Sequence, residues 1–155
     1  MAVALVALFV ALGGGSYAAV KLGSDDTGAR AASATSGEKM KGLYRVSDFE
    51  MSSNQQQFAD GAVSYPKPLK SSPTLHFIGV GQTPPAECAG SATAPKAKKG
   101  HLCVYEADTN NRDPGDVPFL SGDGRDKLGF SLSLLSAASQ GAFYFSQGSW
   151  AVTAP

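Results

Sequence analysis

Most of the residue types that mark a catalytic or metal-binding protein are scarce in this chain. Its 13 basic and 13 acidic residues cancel. No global field therefore draws it to nucleic acid or to an anionic membrane surface, and nucleic acid is excluded as a partner. Histidine occurs twice, cysteine twice and tryptophan once in 155 residues. His76 and His101 would need a carboxylate such as Glu87 or Glu106 to complete a metal site; two ligands without a clear third read as ordinary strand histidines. Cys88 and Cys103 are not a Cys-x-x-Cys pair, which speaks against a dithiol redox centre or a zinc ribbon. Ser36–Lys39 and Ser64–Lys67 match the Ser-x-x-Lys spacing of penicillin-recognising enzymes, but the other elements of that set are missing and both matches are chance. No catalytic residue, metal ligand or cofactor follows from the sequence.

What the chain does have is glycine (18), proline (9) and an ordinary apolar fraction of 43%. These suit one domain of short strands joined by turns, plus an appendage. The appendage comes first. Met1 to Leu12 is apolar throughout, which is short of the about 20 residues of a membrane span and suits a signal-peptide core. Ser16-Tyr17-Ala18 offers small residues to a signal peptidase, so residues 1–18 read as a signal peptide cleaved after Ala18. The alternative is an uncleaved hydrophobic helix that anchors the chain in the membrane through Val20. No Lys or Arg precedes the run, which suits an internal methionine with the true start upstream. Residues 19–42 are small and polar without large periodic apolar side chains, and read as a flexible linker.

From Leu43 to Pro155 a period of two dominates. Tyr44 and Val46, Ala62 to Tyr65, Leu75 to Gly81, His101 to Glu106, Phe130 to Leu134, Phe143 with Phe145, and Trp150 with Val152 give about seven strand candidates. The expected fold is all-β, an antiparallel sandwich of jelly-roll or immunoglobulin-like type, with Trp150 in or beside its core. Leu132 to Ala138 is the one stretch that rivals this as a helix, and its serines weaken that choice.

The stretch from Leu75 to Glu106 organises the rest. Thr83-Pro84-Pro85 stops any ladder, Cys88 opens a polar loop ending in Lys98-Lys99-Gly100, and His101 begins the next strand with Cys103 in it. In an exported chain a single even pair of cysteines predicts a structural disulfide, Cys88 to Cys103. A second long loop runs from Ala107 to Lys127. Asp108, Asn110, Asp113, Asp116, Asp123 and Asp126 are oxygen donors of the kind calcium takes, but Arg112 stands where a third EF-hand ligand belongs, and turn formation explains the composition better. Long loops on rigid β scaffolds are where binding resides. The expected ligand-contact loop therefore comprises Asp108, Asn110, Asp113, Asp116, Phe119 and Asp123, with Phe119 and Leu120 as apolar anchors and Lys96, Lys98 and Lys99 adding charge if the two loops share an end of the sandwich.

Four phrases resemble a group of uncharacterised exported actinobacterial proteins with a C-terminal β-sandwich head: the stretch from Val6 to Leu22, Thr83 to Cys88, Gly100 to Glu106, and the ending Trp150 to Pro155. In that group the head often follows a collagen-like stalk; this linker has no Gly-X-Y period, so the resemblance does not extend to stalk trimerisation. It implies location and architecture, and no activity or site residues. The combined expectation is a non-catalytic exported module, secreted or extracellular, touching the membrane only through its N-terminal segment. Cell-envelope material or another surface protein would be its partner, and self-association stays open. The alternatives are a small secreted hydrolase, for which no nucleophile–base or paired-carboxylate set is found, and a lectin-like sugar binder using Tyr105, Tyr144 or Trp150.

Overall fold

The computed structural model describes residues 32–49, 57–113, 127–137 and 142–155. The chain divides into two units, Met1–Arg30 and Ala31–Pro155. The first lies outside the described residues, and with it the signal-peptide or anchor reading of 1–18. No described helix is long and apolar enough to cross a membrane.

Among the described residues the second unit holds six strands: β1 (Lys39–Phe49), β2 (Phe58–Ser64), β3 (Thr74–Ile78), β4 (His101–Asn110), β5 (Gly129–Leu135) and β6 (Phe143–Thr153). They form two sheets, one of order β1-β6-β4-β3 and one of β2-β5. The all-β expectation holds. The antiparallel one holds only in part, because β3 and β4 run parallel while the other pairs are antiparallel. A parallel pair needs a crossover, and residues 79–100 supply it as a loop with a single 3-10 turn at Ala86–Cys88. β3 stops at Ile78, earlier than expected, because Gly79 to Gln82 closes a turn: the Gln82 amide donates to the Gly79 carbonyl at 3.0 Å and Gly81 has φ +77°.

Two other readings need correction. The separate strands expected around Phe143 and Trp150 are one unbroken strand, β6, in continuous register with β1. Since side chains alternate, Phe143 and Phe145 cannot share a face with Trp150 and Val152. The inward set is Tyr144, Ser146, Trp150 and Val152, and the two phenylalanines face the other way. The stretch 19–42 is likewise not linker throughout: β1 begins at Lys39, and Ala34 is buried with its amide donating to the Pro68 carbonyl. Leu132 to Leu135 lies in β5, so the helical alternative fails there.

The main core fills the space between the sheets. Met40, Tyr44 and Val46 of β1, Leu102 and Val104 of β4, Trp150 and Val152 of β6 meet Phe130, Leu132 and Leu134 of β5. Trp150 sits 5.6 Å from the Tyr65 ring and 5.9 Å from Phe130, edge-on to the latter. The opposite, outer face of the four-stranded sheet is partly covered by the crossover loop. There Ile78, Cys88, Cys103 and Tyr105 form a second, smaller cluster, with Ala92 and Ala97 against it.

Candidate functional site

The two cysteines are joined, with Cα atoms 5.7 Å apart and both side chains wholly buried. The bridge fastens the start of the crossover loop to β4. Hydroxyl groups hold the rest: Ser149 donates to the Ala92 carbonyl at 2.7 Å and Thr153 to the Ala97 carbonyl at 2.7 Å. The Tyr105 hydroxyl lies between the carbonyls of Cys88 and Lys96 and serves them as donor, while burial pushes its pKa up. Gly90 permits this folding, since a Cβ there would lie 2.6 Å from the Lys96 amide nitrogen.

The expected contact loop is placed only in part. Asp108 and Asn110 belong to β4, just past a bulge between Glu106 and Asp108. Gln147 donates to Asp108 at 3.4 Å, and Asn110 donates to the Phe143 carbonyl at 3.1 Å. The Asp113 amide donates to the Leu135 carbonyl. Asp116, Phe119 and Asp123 lie outside the described residues. Among the described residues no group of three or more His, Cys, Asp or Glu could hold a metal. Lys98 and Lys99 sit where β4 starts, Lys99 bridging to Thr153, whereas the 111–128 connection leaves from where β4 ends. Residues 114–126 of that connection lie outside the described residues.

The histidines do meet. His76 on β3 and His101 on β4 face outward, with Nε2 of the first 2.9 Å from Nδ1 of the second. Burial, and then the charge of His101, hold the His76 pKa below its ordinary value, against a smaller opposing effect of Glu87. Glu106, the other carboxylate considered, points into the sandwich instead. Its carboxylate accepts from Arg112 Nε and Nη2, each at 3.1 Å, and from Ser146 Oγ at 2.7 Å. Tyr44 and Ser146 hydroxyls lie 3.2 Å apart, and burial pushes the Tyr44 pKa up. A buried carboxylate this well supplied with donors is a closed structural cluster. Tyr105, Tyr144 and Trp150, the rings considered for sugar stacking, are all buried.

What the outer face leaves open is a cleft of about 380 Å³ between β1 and the crossover loop. Small side chains, Ala86, Ala89, Pro95, Ala97 and Ala151, make its apolar surface. Lys39 and Lys41 rise from the β1 side, Lys96 and Lys98 from the loop side, and Glu87 is the single carboxylate. None of the four lysines enters an ion pair among the described residues. A second hollow follows along β1, bounded by Leu43, Arg45, Ala92, Ala107 and Gln147. Leu43 is 82% exposed, and Arg45 donates to Gln147 while its guanidinium lies 5.1 Å from the Phe145 ring centre. Sequence reasoning missed Lys39, Lys41 and Arg45. The signal was present in Lys39-Met40-Lys41-Gly42-Leu43-Tyr44-Arg45-Val46, whose period of two starts inside the stretch read as linker. Neither a protein-family model, nor a curated protein sequence, nor a solved structure matches this chain.

Proposed function

We propose that the protein is an exported, non-catalytic β-sandwich module that binds a partner outside the cell. The observation that carries this is the clamped crossover loop. A disulfide, three hydroxyl-to-carbonyl contacts and an alanine-rich underside hold a long polar segment on a rigid sheet, and the segment walls a charged cleft. A loop fixed this firmly suits recognition, because little conformational freedom remains to be lost when a ligand arrives. Persistence of the bridge requires an oxidising compartment, in keeping with the apolar start of the chain and its resemblance to exported actinobacterial proteins. The ionisable groups nearest to chemistry are engaged with one another, His76 with His101 and Glu106 with Arg112.

The test is fractionation of a bacterial host producing the full chain with a C-terminal tag. Recovery from the wall, membrane surface or medium, with no free thiol and amino-terminal sequence starting near Ala19, is the expected result. Retention in the cytoplasm with two titratable thiols would overturn the reading.

A further inference from the structure

We infer that the outer-face cleft takes an extended acidic peptide segment, with carboxylates at alternate positions, lying along β1. The inference rests on the binding-module reading and narrows it to one site and one class of partner. Three observations lead there.

The first is the spacing of the charges. Lys39 and Lys41 are two residues apart on one strand, which puts their Cα atoms about 7 Å apart on the same face. On the facing wall Lys96 and Lys98 are also exposed, while Ala97 between them turns inward to the second cluster. Cations on both walls thus line an apolar floor, those on β1 at the repeat of an extended chain. An extended peptide presents its own side chains to one face at that same repeat.

The second is length. The outward series continues through Leu43 to Arg45, and the second hollow opens on that part of it. From Lys39 to Arg45 the track spans six residue steps, about 20 Å. That suits a segment of about seven extended residues and exceeds what one small anion would fill. The third is pattern. Leu43 interrupts the cations with an apolar side chain left 82% exposed in mid-strand, and a large apolar residue rimmed by charge marks a contact surface. The ligand matching this track carries acid, acid, apolar, acid at successive alternate positions. Lysine ammonium groups act as point charges and do not impose planar bidentate geometry, so the sequence of the acidic segment is read loosely. Glu87 and Asp108 flank the track and disfavour a denser polyanion.

The experiment uses the full oxidised chain and the fluorescein-labelled peptide Glu-Ala-Glu-Ala-Leu-Ala-Glu, followed by fluorescence anisotropy. The same peptide with glutamine for glutamate, and oligothymidylate of matching charge, serve as comparison probes. The acidic peptide is expected to bind, weakening as salt is raised, and the glutamine peptide is not. The double variants Lys39→Gln/Lys41→Gln and Lys96→Gln/Lys98→Gln are each expected to weaken binding on the order of tenfold, and Leu43→Ser several-fold. All these residues are exposed apart from their stems, so each variant should keep the disulfide and the wild-type unfolding midpoint, which is measured alongside. Failure of the acidic peptide to bind, binding unchanged in both lysine pairs, or equal or tighter binding of oligothymidylate would each overturn the inference. So would sedimentation showing a dimer that Leu43→Ser dissolves, since a second copy would then occupy the face. None of these outcomes touches export or disulfide formation, so the module reading would survive its narrower form.

Discussion

The two faces of the four-stranded sheet are covered by different physical means. The inner face is packed with volume: Trp150, Tyr65, Phe130 and Tyr44 interlock with aliphatic side chains from both sheets. The outer face is covered by a strap of alanines, held through one covalent bridge and a few hydroxyl-to-carbonyl bonds. Packing by volume closes a surface completely, because cores tolerate few voids. A tethered strap need only touch at its tethers, and so leaves the β1 side of the sheet open. The lysines, Leu43 and Arg45 occupy that open part. The fold thus puts its packed core on one face and its exposed cations on the other.

Mutations should divide along the same line. Trp150→Ala removes the largest side chain of the inner core and should cost about 3–5 kcal/mol, read as a lowered midpoint of urea unfolding by circular dichroism. A cost below about 1 kcal/mol would mean that the inner face does not carry the fold. Cys88→Ser with Cys103→Ser should cost less, up to ~3 kcal/mol for a loop of this length in the chain-entropy model. Its signature differs as well. Amide exchange should rise across the crossover loop while the Trp150 environment stays native, so loss of the near-ultraviolet tryptophan signal would show that the two faces are not independent.

The smallest effect belongs to the histidine pair at the edge of the strap. The folded pKa of His76 lies below its ordinary value of 6.5, so the unfolded chain takes up a proton first as the solution is acidified. The stability this group contributes is fully present above about 6.5 and is lost as pH falls below it. His76→Gln should flatten that part of the stability–pH profile. An unchanged profile would show that the His76 pKa is not held below its ordinary value in the folded chain.

Legibility in the sequence followed the same division. The inner face was readable: Tyr44, Val46, Phe130, Leu132, Leu134, Trp150 and Val152 alternate with smaller or polar residues, and all are buried. The disulfide was readable from the cysteine count and the expectation of export. The outer face was not. Phe143 and Phe145 alternate just as core residues do, and only the unbroken register of β6 shows that their parity is opposite to that of Trp150. The parallel pairing of β3 with β4 was hidden because period-two alternation carries no direction. The cleft combines β1 with a loop some fifty residues later, a juxtaposition that the β1–β6–β4 pairing creates and that no local spacing records. Glu106 was weighed as a surface ligand because its burial depends on Arg112, which reaches it from beyond the end of the strand.

The position of β6 has a consequence for how the chain comes into being. It is the last of the described strands in sequence, yet it lies between β1 and β4 in the sheet. Until residues 143–153 are available, β1 has no partner and β4 can pair only with β3. Closing such distant segments is slow, and domains dominated by non-local pairing fold in milliseconds to seconds. A nascent chain of this design therefore stays open while it is being made. The arrival of β6 is then what joins β1 to β4 and completes the four-stranded sheet.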